Sequence, residues 1–127
     1  MNKEKIHVEY IFDKASKNTL WNYLTTSTGL SEWFADDVRI HENEYTFIWN
    51  KSPVKAELLA MVPNNKVCFK WVEDEMPDSY FEFKLHTDEI TGALVLEITD
   101  FADPEEKEVT INLWDSQIKE LKRILGI

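Results

Sequence analysis

One carboxylate and a set of aromatic rings are the groups in this sequence whose types and spacing point most directly to chemistry. Asp100 shares an alternating face with Leu94, Leu96 and Ile98, so a strand running through it places a carboxylate at the end of an apolar surface. Burial there raises a carboxyl pKa, and such a group orients a ligand or exchanges a proton. If the chain turns at that point instead, Asp100 bonds turn amides ahead of the next element. The rings repeat in the same way: Tyr45, Phe47 and Trp49, then Phe69 and Trp71, then Phe81 and Phe83. With Leu58 and Leu96, and with Trp114, Ile118 and Leu121 opposite, they either wall an apolar pocket or interdigitate into a solid core. Tyr10, Tyr45 and Tyr80 add hydroxyls at strand positions, groups that when buried usually satisfy a local partner.

Other chemistries find less support. His7, His41 and His86 fall on separate predicted elements, with no pair at helical ligand spacing, so no metal is expected. Cys68 stands alone, which fits a structural thiol better than a nucleophile. Gly29, Gly92 and Gly126 are too scattered to cradle a phosphate, and no Gly-x-Ser-x-Gly elbow occurs. No catalytic residue and no cofactor is assigned.

The elements that must position these groups can be read from periodicity. Ile6, Val8, Tyr10 and Phe12 alternate with His7, Glu9 and Ile11, as in a strand with one buried face. Ser16 suits a helix N-cap. Leu20, Trp21 and Leu24 follow on one helical face, Thr25, Thr26 and Gly29 punctuate its end, and a second short helix covers 30–34. From 37 to 101 the pattern is strand and turn, with alternating runs around 38–40, 45–49, 54–60, 67–71, 81–85 and 94–98. Turn chemistry separates them at Asn43, 50–53, 63–65, 76–78 and 88–92. The sequence Asp103-Pro104-Glu105-Glu106 predicts a capping box, opening a long helix. Ile111, Trp114, Ile118, Leu121 and Leu125 form its apolar stripe, and Asp115, Gln117, Lys119, Glu120 and Lys122 cover the other side.

Composition narrows the partners. At 127 residues the chain fits a single domain, 1–127. Five Trp, four Tyr and seven Phe are enough bulk to fill a core or line a concave site. A formal net charge of -10 opposes nucleic acid and anionic membrane surfaces, both of which require clustered Lys and Arg. No segment reaches the length of a signal-peptide core or a membrane span, so no membrane insertion and a cytoplasmic setting are expected. Glu73-Asp74-Glu75 and 103–108 are acidic clusters; they read as a solvated hairpin tip and a helix N-terminus, or as a surface for a basic protein partner.

The order strand, two helices, about six antiparallel strands and a long helix resembles the helix-grip fold of the START and birch-pollen-allergen superfamily, also called SRPBCC. Leu20-Trp21-Asn22-Tyr23-Leu24-Thr25-Thr26, followed by Gly29-Leu30-Ser31-Glu32-Trp33-Phe34, is similar to the signature of members related to the heat-shock ATPase activator. Ile98-Thr99-Asp100-Phe101-Ala102-Asp103, entering an acidic helix that contains a Trp, resembles a compact bacterial START-like family. The resemblance covers essentially the whole chain. It implies an α+β class, with a curved antiparallel sheet wrapped around the long C-terminal helix and a cavity between them. The leading expectation is therefore a small hydrophobic or amphipathic, lipid-like ligand enclosed by the aromatic walls and oriented by Tyr45 or Asp100. The alternative is a co-chaperone-like protein-interaction module with a filled core, and a weaker one is a cyclase or hydrolase using a cavity carboxylate.

Overall fold

The computed structural model describes residues 3–127. Its elements run β1 (Glu4–Ile11), α1 (Lys17–Thr25), α2 (Ser27–Trp33), β2 (Asp37–His41), β3 (Glu44–Trp49), β4 (Ser52–Val62), β5 (Lys66–Trp71), β6 (Phe81–Thr87), β7 (Leu94–Ala102) and α3 (Lys107–Leu125). The seven strands form one antiparallel sheet in the order β1-β7-β6-β5-β4-β3-β2. Every neighbour except the β1–β7 pair is also a neighbour in sequence, so hairpin connections suffice for the rest, the longest being the loop 72–80 between β5 and β6. The helices α1 and α2 fill the connection from edge strand β1 to edge strand β2. The architecture is the α+β helix-grip arrangement expected from the pattern.

Local chemistry explains the joints. Ser16 caps α1 as expected, its Oγ accepting from the Thr19 amide at 3.1 Å. Thr26 then ends α1 and caps α2, its Oγ1 accepting from the Gly29 amide at 2.9 Å. The second helix consequently begins at Ser27, three residues before the expected start, and Gly29 lies inside it rather than ending the first. The reason Gly29 is needed is packing. A Cβ there would stand 2.4 Å from the Asn22 carbonyl oxygen and 2.6 Å from Tyr23 Cα, so only glycine lets α1 and α2 approach this closely.

Asn50 and Lys51, with φ of 49° and 66°, form the two-residue turn between β3 and β4. The strand β4 resumes at Ser52 and so includes Pro53, placed in the turn by composition. β5 ends at Trp71, opposite Ala56, so Pro53 lies beyond the last rung on that side and removes no ladder bond there. A register shift between Leu58 and Ala60 breaks the alternation read along β4, leaving Ala56 buried and Ala60 exposed.

The predicted capping box at Asp103 does not form. Residues Pro104–Glu106 wind as a 3-10 turn in which the Glu106 amide bonds the Asp103 carbonyl at 2.8 Å, and the Asp103 side chain makes no capping bond. The α3 stripe does bury Trp114, Ile118 and Leu121, while Ile111 and Leu125 are half-buried. Trp114, Ile118 and Leu121, with Leu125 packed against them, join residues of α1, α2 and the sheet in one hydrophobic core. No helix among the described residues is long and apolar enough to cross a membrane.

Candidate functional site

Alternation along the strands aims the rings inward, and the rings meet one another. Phe47, Phe69 and Phe83 are wholly buried and Phe81 nearly so. Phe69 stacks on Phe81 at 5.0 Å between centroids, Phe81 on Trp71 at 4.7 Å, and Tyr45 meets Phe69 edge-on at 4.8 Å. Phe34, just past the end of α2, is the hub that joins the sheet to the terminal helix. Its ring lies 5.0 Å from Phe47, 5.4 Å from Trp49, 6.0 Å from Phe81 and 5.8 Å from Trp114. Between β3, β5, β6 and α3 the space is thus occupied by protein rings at contact spacing.

Accessible aromatic surface remains at the margin. Trp49 and Trp71 are half-buried, with centroids 6.1 Å apart; Trp71 lines a cleft between the sheet and the start of α3, and Trp49 one between the end of α2 and the middle of α3. One cleft, of about 250 Å³, is lined by Trp71, Asp74, Tyr80, Asp100 and Thr110, with Lys3 also on its wall. The other, of about 450 Å³, is bounded by Trp33, Phe34, Trp49 and Gln117. Indole N–H groups fix these walls. Trp49 Nε1 donates to the Phe34 carbonyl at 2.9 Å, and Trp33 Nε1 to the Tyr23 carbonyl at 2.7 Å. Gln117 Nε2 also donates to the Phe34 carbonyl, at 3.4 Å.

Asp100 is the carboxylate of the first cleft. It stays in β7, paired with Ile6, rather than leaving the strand. Its Oδ2 accepts from Trp114 Nε1 at 3.0 Å and its Oδ1 from the Phe101 amide at 2.8 Å. Burial raises its pKa above the ordinary carboxylate range, even though both bonds act to lower it. Asp74 behaves oppositely. Burial alone would raise it, but bonds from Ser79 Oγ, the Met76 amide and Lys3 Nζ outweigh that and hold it near 2.

The sequence-predicted site residues therefore divide. Tyr45, Phe47, Phe69, Phe81, Phe83, Leu96, Trp114, Ile118 and Leu121 are gathered in the closed core, while Trp49, Leu58, Trp71 and Asp100 keep accessible surface. Tyr45 spends its hydroxyl on the Thr25 carbonyl at 3.1 Å, and Tyr10 on Asp115 at 2.6 Å. Cys68 is buried, and burial, ahead of the nearby Glu82 charge, pushes its thiol up to about 11, so it is not a thiolate at neutral pH. Sequence reasoning missed Thr110 and Gln117 as cleft residues and placed Gln117 on the far side of α3. The available signal was the spacing 110, 114, 117, 121, one line along a helix. Tyr80, expected at a strand position, lies in the loop just before β6, and Asp74, expected in a solvated hairpin tip, is drawn inward by Ser79 and Lys3; the loop brings both to the cleft.

Comparison with known proteins agrees with this architecture. The comparison with curated proteins finds no match. The solution structure of the Bacteroides fragilis protein BfR322 is 43% identical, with 100% of this chain and 94% of that chain covered and a TM-score of 0.70. The Aha1 dimer of Colwellia psychrerythraea is 22% identical over 98% of this chain and 97% of that one, with a TM-score of 0.78. Protein MLL2253 of Mesorhizobium loti is 18% identical over 97% of each chain, with a TM-score of 0.75. The last two show likeness of fold alone. The family model for the START-like superfamily domain matches residues 1–127, and the chain belongs to that superfamily, whose members commonly bind ligands or interact with proteins.

Proposed function

We propose that this chain is a binding module for a small amphipathic molecule, taken up in the clefts beside Trp49 and Trp71 rather than enclosed deep between sheet and helix. The observation that carries this reading is the contrast between a ring-filled interior and two half-buried indoles at its margin. In the first cleft a ligand's apolar part lies against Trp71, as in the second it lies against Trp49, where contact area gives affinity without direction. Its polar part meets Asp100 and the Thr110 and Tyr80 hydroxyls, which set orientation. Clefts of this size suit a compact molecule better than a long acyl chain, since ligand sites enclosing drug-sized molecules run from about 300 to 1,000 Å³. Binding takes place in a cytoplasmic setting and needs no cofactor.

The test is a panel of compact amphipathic compounds followed by tryptophan fluorescence, with native mass spectrometry of gently purified protein. Binding that perturbs emission in the parent and is at least ten-fold weaker in Trp71→Ala supports the reading. An unchanged spectrum across the panel, with no retained molecule, removes it.

A protein-interaction role is favoured by a separate observation. Val109 and Leu113 are 67% and 59% exposed. With about 100° of turn per residue, both lie on the flank of α3 next to Thr110 and Gln117, beside the same clefts. A partner seated there covers Val109 and Leu113. Reproducible pull-down lost in Leu113→Asp, with ligand binding intact, assigns the flank to a partner.

A further inference from the structure

The outer face of the sheet holds a cluster that neither the fold nor the clefts require. The three histidines have no ligand spacing in sequence, yet antiparallel pairing brings two of them to one carboxylate. Glu97 on β7 stands directly across from Glu9 on β1 and from Lys84 on β6. His7 lies two residues from Glu9 on the same face of β1, and His86 two residues from Lys84 on β6. As a result His7 Nε2 is 2.9 Å from Glu97 Oε1, and His86 Nδ1 is 2.8 Å from Glu97 Oε2. The donor atoms of His7, Glu9 and Glu97 all lie within 4.8 Å of one another.

We propose that His7, Glu9 and Glu97 form a zinc-binding site on the outer face of the sheet, with His86 as a positioning residue on the second oxygen of Glu97. One imidazole and two carboxylates supply three protein ligands of the borderline kind zinc accepts, and water takes the fourth position. Around a tetrahedral zinc with bonds of roughly 2.1 Å, donors stand about 3.4 Å apart. The existing cluster therefore closes by side-chain rotation alone, with exposed Glu9 turning in and His7 exchanging its hydrogen bond to Glu97 for the metal. Glu97 is the more buried member, its side chain 19% exposed. The backbone beneath consists of two ladder-paired strands, so the ligands start from fixed positions.

The position of His86 is the second observation. Its Nδ1, shielded from solvent although the His86 side chain is 41% exposed, stands 2.8 Å from Glu97 Oε2 and meets no other polar partner among the described residues. His86 thus sits against the oxygen of Glu97 that His7 does not contact. Such an outer partner orients a ligating carboxylate and typically changes metal affinity by about 10–100-fold. Lys84 is the opposing influence, an exposed cation directly across from Glu97 that rotates to solvent when the metal binds.

The experiment is calorimetric titration of zinc chloride into tag-free protein stripped with EDTA, alongside NMR of the histidine side chains. One equivalent of zinc is expected, with the His7 imidazole signals shifting most. His7→Gln and Glu97→Gln each weaken binding at least ten-fold. His86→Gln weakens it while leaving the melting temperature of the zinc-free protein unchanged, and His41→Gln, on the opposite edge strand, has no effect. The proposal is overturned by an absence of saturable binding up to about 1 mM zinc. It is equally overturned if His7→Gln and Glu97→Gln bind as the parent does, or if His41→Gln loses as much.

Discussion

Trp114 reaches from α3 to Asp100 on β7, and this 3.0 Å bond ties the terminal helix to the cleft carboxylate. Because burial raises the Asp100 pKa, the folded chain binds that proton more tightly than the unfolded chain does. The stability so contributed is fully present below the unfolded value, ~4, and is lost as pH rises through the folded value. Asp100→Asn stays neutral throughout. Urea melts from pH 4 to 8 should show the parent losing stability relative to the variant as pH rises, on top of a constant offset of about 1–3 kcal/mol from the mismatched amide at the Phe101 N–H. A difference that stays flat with pH would rule out the raised pKa. Asp74 has the opposite sign: with its pKa depressed to about 2, its contribution is present above ~4 and lost as pH falls toward that value. Asp74→Asn should cost about 1–2 kcal/mol at pH 7 and converge with the parent near pH 2. Acid melts followed by circular dichroism measure both.

At the scale of elements, alternation and capping residues were legible because each depends on a few neighbours in sequence. Ser16, the β3 and β5 alternation and the α3 stripe are of this kind. Where a second element intervenes, the reading slips. Gly29 looks like a helix terminator by composition, yet its role is set by Asn22 and Tyr23 on another helix. The Leu58/Ala60 bulge depends on how β5 pairs, which β4 alone does not encode. Gly29→Ala tests the packing explanation. A methyl 2.4 Å from a backbone oxygen forces α1 and α2 apart, and overpacking of this kind costs about 2–3 kcal/mol. Chemical denaturation should show that loss. A variant as stable as the parent would mean the helix pair yields freely and the glycine is dispensable.

For the whole molecule, parity along strands told which rings face inward but not whether they leave space, because filling depends on volumes contributed by elements far apart in sequence. Phe34 shows why: nothing in its neighbourhood says that it will meet Phe47, Phe81 and Trp114 at once. The histidines make the same point on the outer face, where pairing of β1, β7 and β6 joins residues up to 90 positions apart. The functional consequence is a division between rings that hold the fold together and rings available to a ligand, and paired variants separate the two. Phe81 is 1% exposed and packs against Phe34, Phe69 and Trp71. Phe81→Ala should cost about 3–5 kcal/mol, the usual penalty for emptying a well-packed aromatic site. Trp71 already borders solvent, so Trp71→Ala should cost only about 1–2 kcal/mol, because less surface returns to water, yet it should abolish most ligand binding. Thermal melts and fluorescence titrations of the two variants give both numbers. If Trp71→Ala proves as costly as Phe81→Ala, Trp71 belongs to the core, and the cleft loses the wall on which the binding reading depends.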